Sequence, residues 1–122
     1  MVTSLTEGGL AAERERGRNE LAFLYSTPAY RLQLDLLGHG DVADALVAAA
    51  SRKDWQQLDG LMTDELMDEL VPHSTYADLP RVLAERYTGV CDGIVLALPA
   101  DAEDDVALVP AVAGIKAIPG LV

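Results

Sequence analysis

The chain has very little cysteine and few basic residues, and each shortage excludes a class of protein. Cys91 is the single cysteine in 122 residues and has no second cysteine to pair with, so a disulfide framework is excluded and a reducing compartment is expected. Nine basic residues stand against twenty acidic residues, which gives a formal net charge of −11. This charge repels nucleic-acid phosphates and anionic lipid headgroups, so we expect neither as a partner.

The sequence also lacks targeting and membrane signals. No leader of basic, apolar and small residues follows Met1, and the longest apolar runs are far shorter than the ~20 residues of a membrane-spanning helix. We therefore expect a cytoplasmic protein. Half of the residues are hydrophobic, so intrinsic disorder is not expected and one modest core can form.

One segment of the sequence predicts a β-strand clearly. Val90–Pro99 is a nearly continuous run of β-branched and aliphatic residues that ends at a proline. Such a run is typical of a strand that is buried on both faces inside a parallel sheet. A buried strand needs neighbours, and the rest of the sequence predicts helices. We therefore expect residues 1–122 to form a single partial domain of a larger α/β protein, with one clear strand at about residues 90–98.

Helical spacing and capping residues dominate elsewhere. Residues 30–36 alternate apolar and polar side chains as a strand does, but the preceding Ser-Thr-Pro start signal favours a short helix. The predicted helices are residues 9–25, a short helix after Pro28, one capped by Asp41, one capped by Asp54, one from Thr63 to Pro72, one capped by Asp78 with Pro80 in its first turn and ended by Gly89, and one from Asp101 to Ile118 that Pro110 kinks or begins.

Two histidine segments are candidates for chemistry. His39 lies between glycines on a turn, where it could bind a metal or shuttle a proton, but no partner ligands stand at metal-site spacing. His73, Ser74 and Thr75 precede a predicted helix start and could receive an anion. A turn residue in the first case and helix capping in the second are the favoured interpretations.

The remaining candidates have equally simple structural interpretations. Cys91 could act as a nucleophile only with a base nearby, so a small buried hydrophobic residue is favoured. Glycine-rich nucleotide fingerprints, a P-loop and a nucleophile elbow are absent. We therefore assign no catalytic or cofactor-binding residue and expect no metal site. The acidic residues of one predicted helix are interpreted as a solvated face rather than a metal cluster: Asp64, Glu65, Asp68 and Glu69.

Several segments, in order along the chain, resemble one protein family. The most specific is Leu21–Arg31, which contains Ser-Thr-Pro-Ala-Tyr. It resembles a stretch of luciferase-like monooxygenases, particularly of the branch that uses a deazaflavin coenzyme. Later segments that also look like the final portion of that family are residues 34–41, the Trp55 helix, residues 62–68, residues 82–87, residues 94–99 and residues 112–120.

The resemblance covers about residues 20–120 and implies a fold and a function. It implies that the chain is the helix-rich C-terminal fragment of a (β/α)₈ barrel, with Cys91–Leu98 as the eighth strand and Pro99–Asp101 as a loop at the catalytic face. The implied activity of the whole protein is hydride transfer with a deazaflavin coenzyme or flavin mononucleotide (FMN). Residues 74–78 depart from the Gly-Thr-Pro-Glu-Glu turn of relatives, which weakens any transfer of a ligand contact to this turn.

This function and one alternative follow as expectations. We expect part of a flavin- or deazaflavin-dependent oxidoreductase that is incomplete and inactive alone, so neither coenzyme should bind the isolated chain. The alternative is an acidic helical interaction module or a non-catalytic remnant. In either case the chain could self-associate or bind a partner chain through an exposed strand edge.

Overall fold

The structure is a computed structural model that describes residues 1–120. The described residues form seven α-helices and two short strands, β1 (Val2–Ser4) and β2 (His73–Thr75). Single 3₁₀ segments precede α2 and α7, at Pro28–Tyr30 and Ala102–Ala107. The helices are α1 (Glu7–Tyr25), α2 (Arg31–Leu36), α3 (Gly40–Ser51), α4 (Trp55–Leu61), α5 (Asp64–Leu70), α6 (Leu79–Tyr87) and α7 (Leu108–Lys116).

The chain divides into two compact units. Among the described residues, the first unit contains residues 1–14 and 70–120, and the second contains residues 15–69. The secondary-structure elements of the second unit are all helices, and α4 and α5 begin where their capping residues predict. Asp54 accepts a hydrogen bond from the backbone N–H of Gln57 at the start of α4, and the Thr63 hydroxyl accepts one from Leu66 at the start of α5. The apolar stripes of these helices are buried, at Leu34, Leu46, Leu58, Leu66 and Met67, and Met62 between α4 and α5 is buried as well.

The first unit combines the small sheet with two helices. β1 and β2 are parallel, with Val2 opposite His73 and Ser4 opposite Thr75. Helices α6 and α7 pack together around a core that also takes in the half-buried Ile94 and Leu96. The fully or nearly fully buried members of this core are Tyr76, Leu79, Leu83, Leu108 and Ala111.

Glycine at position 114 allows the close approach of α6 and α7. A methyl group on Gly114 would lie 2.7 Å from Cγ and 2.8 Å from Cβ of Pro80, which is closer than real side chains approach. Any larger residue here would therefore push the two helices apart. Pro80 is in the first turn of α6, as predicted, where its missing N–H costs no helical hydrogen bond.

The predicted fold class is wrong. Residues 90–98 form no strand, and the described residues contain no barrel; 65% of them are helical. The backbone N–H groups of residues 91–99 make no backbone hydrogen bond to another described residue. The apolar composition of the segment is that of a strand, but a strand exists only when a neighbour pairs with it. The strands that do form pair with each other, so the segment is irregular.

Smaller differences between the predicted and the observed structure also concern hydrogen-bond partners. The sequence predicts that Ser74 and Thr75 cap a helix, but in the structure Ser74 pairs with Thr3 in the sheet. Asp41 does not cap α3, because the helix begins at Gly40 with His39 before it. The predicted helix at residues 30–36 is confirmed as α2, and Gly89, with a φ of +71°, follows the end of α6 as predicted. Within the described residues, none of the helices has the length and hydropathy needed to cross a membrane.

Candidate functional site

His39 lies in the second unit beside a carboxylate. Its Nε2 atom is 2.8 Å from Oε2 of Glu69, and both side chains are partly exposed. This contact links the residue before α3 to the end of α5, so its role is structural. No group of three or more histidine, cysteine, aspartate or glutamate residues within the described part of the chain could hold a metal ion.

The second histidine lies in the first unit, on β2. Nη1 of Arg14 is 2.9 Å from Nδ1 and 2.8 Å from Nε2 of His73, so the guanidinium stands against the imidazole ring. The neighbouring Ser74 is buried, and its hydroxyl donates a hydrogen bond to the carbonyl oxygen of Thr75. The buried serine therefore bonds within its own strand rather than pointing at a ligand.

The acidic residues of α5 belong to the structure of the second unit. Asp64 accepts a hydrogen bond of 2.5 Å from Nη2 of Arg18, and the same guanidinium donates to the carbonyl oxygen of Met62. Arg18 is largely buried, and the hydrogen bond to Asp64 is the main reason why its pKa is raised above the usual value. The side chain of Asp64 is 71% exposed, and the other acidic residues of α5 are exposed as well, so the predicted solvated face is confirmed. Asp64 additionally pairs with the largely buried guanidinium of Arg18.

A cavity beside α7 in the first unit is the best candidate for a binding site. Its volume is about 350 Å³, within the range of small-molecule pockets. We call it the α7 cavity. It is lined by Tyr87, by Cys91–Ile94 and Leu96 of the irregular segment, by Val112, Ile115 and Lys116 of α7, and by Ile118 and Gly120.

A second cavity lies across the same irregular segment. Its volume is about 310 Å³, and Met1 and residues 70–72 form its outer wall. Tyr87, Cys91, Gly93 and Ile94 line both cavities, so residues 91–94 separate them. Cys91 is half-buried in this wall. It is therefore more accessible than the buried hydrophobic residue that the sequence predicts.

The α7 cavity has an apolar floor and charged groups of opposite sign at its edge. Ile94, Ile115 and Ile118 are half-buried against the core of the unit. The charged lining residues are Asp92 and Lys116, and both are exposed. Neither forms a hydrogen bond or an ion pair with another described residue. The site can therefore hold an apolar group while leaving one carboxylate and one ammonium group available to a ligand.

This cavity does not fit a flavin or deazaflavin coenzyme. Both coenzymes carry phosphate, and a phosphate site needs several cations or backbone N–H donors at a helix start. Lys116 is the one cation in the described lining, and Asp92 opposes it with a negative charge. The lining of the α7 cavity therefore offers one cation, fewer than a phosphate site ordinarily uses.

Sequence reasoning missed the α7 cavity because its walls come from three separate segments. Residue 87, residues 91–96 and residues 112–120 meet only after α6 and α7 have packed together. No local spacing connects these positions.

Comparisons with known proteins give a partial match to longer chains. Uncharacterized proteins of Mycobacterium bovis and of two Mycobacterium tuberculosis strains are each 30% identical to this chain over 95 residues. The match covers 78% of this chain and 28% of each relative. No family model and no solved structure matches the chain. The chain therefore corresponds to just over a quarter of the curated relatives it matches, and these relatives carry no assigned activity in their names.

Proposed function

We propose that this chain is one part of a cytoplasmic flavin- or deazaflavin-dependent oxidoreductase of the luciferase-like class. The chain is inactive alone and acts only with further polypeptide. The chemical class comes from the resemblance of residues 21–31 and the later segments to that family. The need for further polypeptide comes from the surface of the first unit. In the proposed enzyme the coenzyme binds outside residues 1–122.

The exposed apolar segment at residues 90–98 is the observation that carries this function. Val95 is 92% exposed, Leu98 is 70% exposed and Val90 is 60% exposed. Ile94 and Leu96, on either side of Val95, are half-buried against the core. Burying a valine or leucine side chain is worth about 1.5–3 kcal/mol. A segment with these apolar side chains uncovered is therefore a surface on which other polypeptide packs.

The length of the relatives supports the same conclusion. Each contains more than twice as much polypeptide outside the matched segment as inside it, because the match covers 28% of its length. The remaining polypeptide is available to cover the outer face of residues 90–98. The barrel and the strand at residues 90–98 are no part of this function, since the described residues form neither.

A chimera of this chain with a relative tests the proposed function. The full-length Mycobacterium tuberculosis protein is titrated with FMN and with the deazaflavin coenzyme, and binding is followed by fluorescence. The same protein is then made with its matched segment replaced by this chain, in one covalent chimera. We expect saturable micromolar binding of one coenzyme by both proteins and no saturable binding by the isolated chain.

Two variants of the chimera sharpen the result. Val95→Asp places a charge on the exposed face of residues 90–98 and should weaken coenzyme binding at least tenfold. Leu36→Asp, at a residue that is 77% exposed in the second unit, is the matched control and should leave binding unchanged. Absence of coenzyme binding by the full-length relative would contradict the proposed function, and so would micromolar binding by the isolated chain.

One observation favours the alternative, an acidic helical module that binds a partner chain. Leu32 and Leu36 are one helical turn apart on α2 and are 67% and 77% exposed, which is the spacing of an apolar docking face. The partner would then pack on α2 rather than on a strand edge at residues 90–98. Weaker coenzyme binding by the Leu36→Asp chimera but not by the Val95→Asp chimera would support this alternative.

A further inference from the structure

We propose that the α7 cavity binds a small hydrophobic zwitterion of the kind represented by leucine or phenylalanine. The apolar side chain of the ligand occupies the floor of the cavity. Its carboxylate faces Lys116, and its ammonium group faces Asp92. This binding is independent of the proposed oxidoreductase function, because it needs only residues of the first unit.

The volume and walls of the cavity set the size and polarity of the ligand. A volume of about 350 Å³ is near the lower end of small-molecule sites, so it suits a ligand of about ten non-hydrogen atoms. Ile94, Ile115 and Ile118 present aliphatic surface to it. Burial of a branched aliphatic or aromatic side chain against this surface is therefore the main source of affinity.

The charges at the edge select a zwitterion over a simple acid or amine. Lys116 attracts a carboxylate, but Asp92 repels it, and the reverse holds for an amine. A ligand that carries both groups satisfies both residues. Because neither side chain has a partner among the described residues, a ligand breaks no existing ion pair when it binds.

The irregular backbone of residues 91–96 adds hydrogen-bonding groups to the same wall. The N–H groups of this segment make no backbone hydrogen bond within the described chain, and Gly93 has no other atom within 4 Å of the position that a Cβ would take. A ligand can therefore approach the backbone closely at Gly93. Backbone donors and acceptors of this kind fix the orientation of small polar ligands in their sites.

Titration of the whole chain by two-dimensional ¹H–¹⁵N NMR tests this site. The probes are leucine, 4-methylpentanoic acid, which lacks the ammonium group, and isoamylamine, which lacks the carboxylate. We expect saturable shifts with leucine at a dissociation constant on the order of 1 mM, as for ligands of this size. The shifts should be confined to residues that line the α7 cavity, and both single-charge probes should bind several-fold more weakly.

Charge-neutralising variants assign the roles of the two edge residues. Lys116→Gln and Asp92→Asn should each weaken leucine binding about two- to fivefold, as for an exposed ion pair. Lys116→Gln should weaken 4-methylpentanoic acid but not isoamylamine. Lys53→Gln changes the other lysine of the chain, which lies in the second unit, and Asp101→Asn changes an exposed carboxylate that does not line the cavity. Both are matched controls and should leave binding unchanged.

The following results would overturn the site. Leucine at 20 mM gives no saturable shift, or its shifts spread equally over both units. Equal binding of all three probes, or equal effects of the cavity variants and their controls, would also refute it. Coenzyme binding by the chimera does not enter this test, so the two proposals can fail separately.

Discussion

The helices between residues 40 and 70 bury their apolar side chains, whereas the segment at residues 90–98, whose sequence is more apolar, leaves several of its own exposed. In the helices, Leu46 is fully buried and Leu58 and Leu66 are each 2% exposed. In the segment, Val95 is 92% exposed and Leu98 is 70% exposed. A helix satisfies its own backbone hydrogen bonds, so it forms first and then buries one stripe. A strand requires a second strand from elsewhere in the chain. Apolar side chains in a segment without such a partner strand therefore stay exposed.

Truncation of a buried leucine should have the largest effect on this comparison. Leu46→Ala leaves a cavity beneath α3 and should lower the free energy of unfolding by about 2–5 kcal/mol. Leu98→Ala is the matched change in the exposed segment and should alter it by less than about 0.5 kcal/mol. Urea denaturation measures both. If Leu46→Ala fails to fold, Leu46→Met, with an expected loss below about 1.5 kcal/mol, replaces it. Equal effects at positions 46 and 98 would abolish the contrast.

Substitution of Gly114 should have the next largest effect. A methyl group here would lie 2.7 Å from Pro80 Cγ, so Gly114→Ala should separate α6 from α7 and lower the free energy of unfolding by about 1–3 kcal/mol. Gly60→Ala in α4 is the matched control, since nothing lies within 4 Å of its added Cβ. Alanine favours helix there, so Gly60→Ala should stabilise by up to about 1 kcal/mol. Thermal unfolding followed by circular dichroism should show a lower midpoint for Gly114→Ala and a higher one for Gly60→Ala.

Removal of a helix cap should have a smaller effect. Asp54 accepts a hydrogen bond from the backbone N–H of Gln57, so Asp54→Ala should cost about 0.5–2 kcal/mol. Asp41 lies in the first turn of α3 without capping it. Asp41→Ala should therefore cost only about 0.3–1 kcal/mol, from the lost interaction with the helix dipole. Chemical denaturation of both variants in the same buffer gives the difference, and a larger cost at position 41 would contradict the assigned cap.

A charge on the exposed segment should alter association more than stability. Val95→Asp should change the free energy of unfolding by less than about 0.5 kcal/mol, because the side chain is already in solvent. The same variant should reduce binding of a hydrophobic dye and any self-association, which fluorescence and light scattering report. Lys53→Asp provides a surface control of the same sign. Unchanged dye binding would mean that residues 90–98 are not the main apolar surface.

The smallest expected effect is a pH dependence that occurs in both units. Arg81 donates hydrogen bonds to Asp78 and lowers the pKa of that carboxyl, and Arg31 does the same for Asp44. A lowered pKa in the folded state stabilises the fold above the unfolded value of about 3.9, and this contribution disappears as the pH falls below it. Arg81→Gln should raise the pKa of Asp78 while Asp44 stays unchanged. Carboxyl ¹³C NMR titration distinguishes the two residues.

The sequence was sufficient for most helix boundaries, which depend on neighbours within a few residues, although Asp41 lies inside α3 rather than capping it. Pro80 in the first turn of α6, Gly89 after its end and the Thr63 cap of α5 all follow from local rules of helix termination and capping. The short helix at residues 31–36 is also confirmed, although its alternating pattern equally suits a strand. The Ser-Thr-Pro start signal before this segment predicted the helix correctly. A helix that begins there needs no distant partner, whereas a strand would.

The sequence was insufficient wherever a structure depends on distant residues. β1 and β2 bring Val2 against His73 across about 70 residues, and three-residue strands leave no periodic pattern that predicts them. The α7 cavity likewise joins residue 87 to residues 112–120. The prediction that Cys91 is a buried hydrophobic residue depended on a strand at residues 90–98, and without that strand Cys91 is half-buried between two cavities.

The sequence by itself determined the acidic charge and the positions of the helices, because charge is a sum over residues and helices are closed by local hydrogen bonds. Only the tertiary structure decided that β1 pairs with β2, that one face of residues 90–98 stays in solvent and that Asp92 and Lys116 border the same cavity. These outcomes depend on which distant segments meet. Strand pairing and cavity formation have no local code, since their hydrogen bonds and contacts exist only after the chain has folded.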